Sequence, residues 1–292
     1  MPEMPEVQGL AQFLAGKLMP DDGAPPARVR DVQLGSFAVL KTAGVPLSAL
    51  SGMAFTEVGR RGKFLILSLE DLHLVLHLAR AGWLRWSDSM PDTLLRPGKS
   101  PIALRLRCTE PAGYGFDLTE AGTRKSAAVY LVREVSEVPG MSRLGPEALT
   151  VDQDQFIAML QGHRSQVKGI LRDQSFIAGI GNAYSDEILH AARLSPFALA
   201  STLDDEQLIR LHTAMHSVLE AAIAAAAGKP AKELKDSKRR EMKVHGRAGE
   251  PCPVCGDTVR EVSFADSALQ YCPTCQTGGK QLADRRTSKF LK

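Results

Sequence analysis

FIAGIGNAYSDEIL (176–189) sets two glycines and an asparagine between two stretches of helical character. Gly179 and Gly181 permit a tight turn with free backbone N–H groups, and Asn182 is placed to cap the helix that follows. Adjacent amides at a helix N-terminus make an anion site suited to a DNA phosphate. Two glycines and a cap also build an ordinary helix hairpin, so this stretch alone leaves both readings open. On either side of it, VDQDQFIAMLQ (151–161), SQVKGILRDQSFIAG (165–179), NAYSDEILHAAR (182–193) and DDEQLIRLHTAMHSVLEAAIAAAA (204–227) carry helical periodicity. Residues 151–228 therefore read as a helical domain.

Outward from the turn the chain changes character. EVGRRGKFLILSLE (57–70), LHLVLHLARAGWLRW (72–86), IALRLRCTE (102–110) and SAAVYLVREV (126–135) are short apolar runs bounded by Gly, Pro and charge. Such runs predict a strand-rich sandwich or barrel. PEVQGLAQFLAGKLM (5–19) spaces Val7, Leu10, Phe13, Leu14 and Leu18 for one face of a helix packed on that β domain. The fold class expected is α+β and multidomain. An N-terminal β-sandwich with flanking helices spans 1–135, a linker 136–150 and the helical domain 151–228. A basic segment, a zinc-binding β-hairpin and a basic tail fill 229–292.

The hairpin is read from cysteine spacing. CPVC (252–255) and CPTC (272–275) are two C-x2-C knuckles separated by sixteen residues. Two residues between ligands let both sulfurs of a knuckle face one tetrahedral ion, so Cys252, Cys255, Cys272 and Cys275 predict a single zinc site. With four thiolates and no His or carboxylate ligand, that zinc is closed and structural. GDTVREVSFADSALQY between the knuckles reads as two strands, and Cys108, in a predicted strand, reads as core. Zinc hairpins of this kind serve DNA, RNA and protein partners alike, so the site does not name a function.

With 292 residues and 44% hydrophobic content the chain is long and apolar enough for two domains with proper cores. Its formal net charge of +3 implies no nucleic acid by itself. The basic residues are nevertheless concentrated in KELKDSKRREMKVHGR (232–247) and DRRTSKFLK (284–292), as solvated faces or as a partner surface. There is no signal peptide and no apolar run of transmembrane length, so a soluble intracellular protein is expected. Disulfides are rare in that compartment, which leaves metal binding to explain the paired thiols.

The chain opens MPEMPEV, continues through RRGKFLIL (60–67) and VKGILRDQSFIAGIGNAYSDE (167–187), and closes with GRAGEPCPVC (246–255) and CPTCQ (272–276). In this order, from residue 2 to residue 276, these motifs resemble the formamidopyrimidine-DNA glycosylase/endonuclease VIII family. The resemblance implies a helix–two-turn–helix motif in 151–228. It also implies a bifunctional DNA glycosylase and abasic-site lyase of base excision repair. Its partner would be double-stranded DNA containing damaged bases or abasic sites.

That chemistry accounts for the N-terminus. Met1 should be cleaved before a residue as small as proline, leaving Pro2 with a secondary amine. An α-amino group titrates near ~7.7–8 and is partly unprotonated at neutral pH, where a lysine at ~10.4 is almost wholly charged. Attack on the sugar C1′ would displace the base and leave an iminium (Schiff-base) intermediate, from which β- and then δ-elimination follow. By the resemblance, Glu3 protonates the sugar ring oxygen as general acid, and Glu6 helps hold the N-terminus and the reacting nucleotide. Lys63, in R-R-G-K, contacts the phosphate and assists catalysis. Lys168 and Asn182 form the phosphate clamp, and Arg247, in G-R-x-G-E-P, is expected on the DNA side. The target nucleotide is flipped out of the duplex.

The sequence leaves the family's pattern at the residues that fill the vacated stack. HLARAG (77–82) sets Arg80 where the family's H-L-G-M-S-G carries a methionine wedge. TEAGTRKSAAVYLV (119–132) lacks the phenylalanine of D-P-R-R-F-G, with Arg124 or Lys125 as substitutes for its arginine. Ser267 replaces the zinc-finger arginine, whose phosphate contact Arg285 or Arg286 of the basic tail would supply. GKPAKELKDSKRREMKVHGR (228–247) is shorter than the segment that caps an oxidised purine. The expectation is retained chemistry with altered lesion choice, nearer the endonuclease VIII side: oxidised pyrimidines or abasic sites. Two other readings stand beside it, a non-catalytic binder of damaged or structured DNA and a glycosylase for bulky or crosslinked bases. The protein is expected to act as a monomer in a bacterial cytoplasm, on nucleoid DNA, away from membranes.

Overall fold

The computed structural model describes residues 1–98, 101–109, 113–121, 125–265 and 267–284. The chain forms two compact units, one of Met1–Arg143 with Ala226–Asp236, the other of Leu144–Ala225 with the residues from Ser237 onward.

In the first unit, helix α1 (Met4–Leu18) buries Val7, Leu10, Leu14 and Leu18, the stripe read from their spacing. Eight strands follow: β1 (Val29–Leu34), β2 (Phe55–Arg61), β3 (Phe64–Leu69), β4 (Leu72–His77), β5 (Gly82–Ser87), β6 (Ile102–Cys108), β7 (Gly115–Glu120) and β8 (Ala128–Val132). They make two four-stranded antiparallel sheets, ordered β1-β6-β7-β5 and β2-β3-β4-β8. Leu65, Leu67, Leu74 and Leu76 of one sheet, Leu104, Leu106, Phe116 and Leu118 of the other, and the α1 stripe share a single core. Truncating one of these leucines to alanine costs about 2–5 kcal/mol. Charge on β6 is accommodated by pairing: the buried Arg105 and Arg107 meet Asp117 and Asp31, each at 2.8 Å.

Two runs that look continuous in sequence are each broken by glycine. EVGRRGKFLILSLE divides at Gly62-Lys63, where Gly62 takes φ +55 and Arg61 pairs with Phe64 across the turn. Glycine at the first central position with positive φ suits the twist of a two-residue hairpin. LHLVLHLARAGWLRW divides between β4 and β5, which belong to different sheets. The crossover is tight: the Gly82 N–H donates to the Leu78 carbonyl at 2.8 Å, and a Cβ on Gly82 would lie 2.3 Å from that oxygen. Strands β1 and β7 escape a sequence reading because VRDVQL and GFDLTE are short and carry charge among their apolar residues.

The second unit contains α2 (Gln153–Leu160), α3 (Val167–Arg172), α4 (Asn182–Ala191), α5 (Asp205–Ala226), α6 (Leu234–Glu241), the β9 (Arg260–Ser263) and β10 (Ala268–Tyr271) hairpin, and α7 (Pro273–Thr277); the ends of α5 and α6 belong to the first unit. Asp152 caps α2 by accepting the Gln155 N–H at 2.8 Å. The stretch 165–179 is helical only through α3. Asp173 Oδ1 accepts the Ser175 N–H at 2.9 Å and its hydroxyl at 2.6 Å, turning the chain out of the helix.

The segment after α5 departs from the sequence reading. Residues 226–236 join the first unit, where Ala226, Ala231 and Leu234 enter the core. Trp83 Nε1 donates to the Ala231 carbonyl at 3.1 Å, and Lys235 Nζ lies 4.6 Å from the Trp83 ring centre. A basic stretch with one leucine looks like a solvated linker. Its destination depends on a core built far earlier in the chain, between Val7 and Leu131, and α6 forms where the sequence showed only charge.

Candidate functional site

The first turn of α1 gathers Pro2, Glu3 and Glu6. Glu3 is the N-cap and Glu6 the third helical residue, joined in a capping box in which the Glu3 N–H donates to Glu6 Oε2 at 2.8 Å. Glutamate is not a favoured N-cap, and burying one is costly. Yet Glu3 is 1% exposed and Glu6 3%. Such a choice works against stability locally and is offset elsewhere in the fold. Pro2 is buried beside Glu3, and the positive end of the helix dipole favours negative charge there.

Helix α1 packs against β2 and β3, with Arg60 Nε donating to Gln8 Oε1 at 2.9 Å. Lys63 sits half-buried in the turn of that hairpin. The strand next to it adds a residue that sequence reasoning passed over. His77 pairs with Phe64 in register, their rings 4.8 Å apart. Burial, and then the Lys63 charge, lower its pKa from 6.5 to about 4. A neutral imidazole beside a lysine is a ready hydrogen-bond donor for a phosphate oxygen. Its signal in the sequence is the histidine that opens HLARAG, at the place of the first residue of the family's H-L-G-M-S-G.

Of the substitutes proposed for the family's wedge and phosphate contacts, Arg80 and Lys125 lie among the described residues. Arg80 is exposed in the β4–β5 crossover. Lys125 donates to the Glu120 carbonyl. Glu120 is itself buried and accepts the Ser126 and Ala127 N–H groups at 2.7 and 2.9 Å, so the carboxylate shapes the chain leading into β8. Arg124, Arg285 and Arg286 lie outside the described residues.

In the second unit Gly181, not Asn182, is the N-cap of α4. The Asn182 side chain is engaged elsewhere: Nδ2 donates to the Ala268 carbonyl on β10 at 2.7 Å, and Oδ1 is buried with no hydrogen-bond partner. Lys168 and Asn182 do come together, through a 3.2 Å bond from Lys168 Nζ to the Asn182 carbonyl. That ammonium also donates to Ser185 Oγ at 2.8 Å and Asp186 Oδ1 at 2.6 Å, and Lys168 is only 5% exposed. It therefore braces the first turn of α4 from within. Asp186 Oδ2 meets His245 Nδ1 at 2.7 Å and the Gln270 N–H at 3.3 Å. Glu187 accepts the N–H groups of Lys243, Val244 and His245 at 2.8–2.9 Å, and burial pushes its carboxyl above the ordinary range. Tyr184 is buried under Lys238, and Arg247 Nε is held by Glu250 at 2.7 Å.

The four predicted cysteines converge. Their sulfurs all lie within 4.8 Å of one another, with Cys252–Cys275 at 3.9 Å and Cys255–Cys272 at 3.3 Å. Zinc–sulfur bonds of ~2.3 Å in a tetrahedron place sulfurs about 3.8 Å apart, so the donor set fits one structural zinc ion. Asp257 buttresses the knuckles, accepting the Thr274 N–H and hydroxyl at 3.2 and 2.8 Å.

Three family descriptions match along the chain: the formamidopyrimidine-DNA glycosylase N-terminal domain over residues 1–128, the formamidopyrimidine-DNA glycosylase H2TH domain over 144–233, and a zinc finger found in FPG and IleRS over 249–278. A formamidopyrimidine-DNA glycosylase of Heliobacterium modesticaldum is 34% identical over 289 residues, covering 94% of this chain and all of the relative. The chain belongs to the formamidopyrimidine-DNA glycosylase family. An uncharacterised formamidopyrimidine-DNA glycosylase-like protein of Mycobacterium tuberculosis is 58% identical over 154 residues, 53% of this chain and 98% of that protein. Among solved structures, Lactococcus lactis complexes with Fapy-dG DNA and with abasic-site DNA each superpose with a TM-score of 0.79 at 23% identity, over 94% of this chain and all of theirs, which establishes the shared fold. As a formamidopyrimidine-DNA glycosylase family member the protein is a DNA N-glycosylase with abasic-site lyase activity. Among the described residues no helix is long and apolar enough to cross a membrane.

Proposed function

We propose that Pro2 is the nucleophile and Glu3 the general acid of this glycosylase and lyase, and that its lesion choice differs from that of a purine-specific relative. The observation that carries the chemistry is the buried Glu3 carboxyl at an unfavourable N-cap, held by Glu6 directly after Pro2. The Pro2 nitrogen attacks C1′ and the base leaves, taking up the proton that this nitrogen loses; Glu3 gives its own proton to the ring oxygen as the C1′–O4′ bond breaks, and an iminium joins protein to sugar. Loss of a C2′ proton then expels the 3′ phosphate, and a second elimination frees the 5′ side. Lys63 and the neutral His77 bind phosphate near the reacting sugar, and the N-terminus of α4 binds another through its backbone, the Asn182 amide being held by Ala268. Lys168 supports that second contact by fixing the helix turn.

The substrate is double-stranded DNA bearing a damaged base or an abasic site, as in the Lactococcus lactis complexes. The enzyme works as a single copy on nucleoid DNA in the cytoplasm. Altered lesion choice is supported by Arg80 at the wedge position, by Lys125 turned onto Glu120, and by 226–236 held in the first unit. Each lost base contact weakens discrimination by ~1–3 kcal/mol. Abasic cleavage needs none of them, so it should be robust, with weaker excision of oxidised pyrimidines and little of 8-oxoguanine opposite cytosine. Borohydride trapping on abasic DNA, followed by single-turnover rates on the three duplexes at one salt concentration, tests both parts. Trapping unchanged by a blocked N-terminus would move the nucleophile to a lysine, and none at all would favour the non-catalytic binder. Excision of 8-oxoguanine as fast as abasic nicking would overturn the lesion assignment.

A further inference from the structure

Helix α4 touches the zinc hairpin along its whole length. Asn182 at its start donates to the Ala268 carbonyl, Asp186 one turn on accepts the Gln270 N–H, and the residue following its end region, Leu194, offers its carbonyl to Gln276 Nε2 at 2.9 Å. Between the last two lies His190, 3% exposed, with Nε2 at 3.3 Å from Cys252 Sγ. No motif in the sequence draws attention to it, and none of the catalytic or phosphate-binding roles uses it.

The ring's other nitrogen settles how it bonds. Nδ1 is buried and has no hydrogen-bond partner. Were the proton on Nδ1, the fold would bury an unpaired N–H and turn the Nε2 lone pair toward a sulfur that carries negative charge when it binds metal. Were both nitrogens protonated, the unpaired N–H would remain. With the proton on Nε2 alone, the donor meets the sulfur and only an unpaired acceptor is left, the cheapest arrangement of the three. Four thiolates around one dication carry net negative charge, and a buried N–H aimed at one of them withdraws charge from it.

We propose that His190 is a positioning residue of the zinc site, donating Nε2–H to the Cys252 thiolate and so tying metal retention to the helix whose first turn bears Asn182. This rests on the four-cysteine zinc assignment, and on neither Pro2 nor the lesion preference. Partners outside the ligand shell commonly change metal affinity by about 10–100-fold. Cys252 is also the deeper of the two cysteines in its knuckle, 2% exposed where Cys255 is exposed.

The test uses the full-length zinc-loaded chain with two variants. His190→Phe fills the space without a donor. His190→Gln puts an amide N–H where Nε2 stood. Zinc release to an excess of colorimetric chelator should be about 10-fold or more faster for His190→Phe and return close to the parent rate for His190→Gln. In cobalt-substituted protein the sulfur-to-metal charge-transfer band should move to lower energy in His190→Phe and be restored in His190→Gln. A change in packing alone would not distinguish the two variants in that way. Equal release rates and an unmoved band in a His190→Phe protein that still binds one metal ion would overturn the proposal, as would His190→Gln behaving like His190→Phe. Absence of zinc from the parent protein would instead refute the metal assignment on which it stands.

Discussion

Replacing Asp186 with alanine removes the acceptor that joins three parts of the second unit. In the native protein Oδ1 pairs with Lys168 at 2.6 Å, and Oδ2 takes His245 Nδ1 at 2.7 Å and the Gln270 N–H at 3.3 Å. The Asp186 side chain is 0% exposed and that of Lys168 6%, so water does not replace the contact between them without opening the fold. Breaking a buried pair by deleting one partner costs about 3–5 kcal/mol, because the remaining charge stays desolvated. Orphaning the Gln270 N–H adds about 1 kcal/mol or more. The sum, about 5 kcal/mol, is comparable to the whole stability of a modest domain. Lys168→Met with Asp186→Leu replaces the pair by apolar groups of similar volume, and should recover most of that loss. The assay is hydrogen exchange, read by mass spectrometry, on peptides covering α4 and residues 243–247 of the zinc-loaded chain, alongside urea unfolding. Protection should collapse in Asp186→Ala and persist in the double variant. A loss under about 1 kcal/mol in Asp186→Ala, or a double variant less stable than the single one, would refute the account of Lys168 as an internal brace.

Glu3→Gln keeps the capping geometry but cannot supply a proton, so excision of an intact damaged base should fall by roughly 100-fold or more while cleavage of a preformed abasic site falls much less; single-turnover rates on the two substrates decide it. His77 has a folded pKa of about 4 against 6.5, so between those values the unfolded chain binds a proton that the native chain excludes. Stability of the first unit is therefore full above pH 6.5 and declines as pH falls toward 4, by at most about 3 kcal/mol. His77→Gln should flatten that part of a urea-midpoint profile measured against pH. Cys272→Ser should abolish stoichiometric zinc, loosen the β9–β10 hairpin and weaken DNA binding while circular dichroism of the sheets persists; metal analysis finding no zinc in freshly purified parent protein would defeat this.

Local chemistry explains what was legible in the sequence. The two C-x2-C knuckles needed only their spacing, because both sulfurs of each knuckle lie within one turn of the ion they share. The stripe Val7, Leu10, Leu14 and Leu18 needed only helical period, and the structure buries all four. The ordered motifs from MPEMPEV to CPTCQ sufficed for the family.

What the tertiary structure decided are the matters in which a residue's partner is remote in sequence. Asn182 is placed as a cap by local rules, but a β10 carbonyl eighty-six residues away takes its amide, and Gly181 becomes the cap. Lys168 reads as one arm of a phosphate clamp until Asp186 closes over it. His77 reads as one more strand residue until burial and Lys63 hold it neutral. Leu234 sits in a run of charge, and only the assembled core of the first unit gives it somewhere to go. Each of these outcomes depends on desolvation, which is a property of the neighbours that the fold supplies, and no window of sequence contains those neighbours.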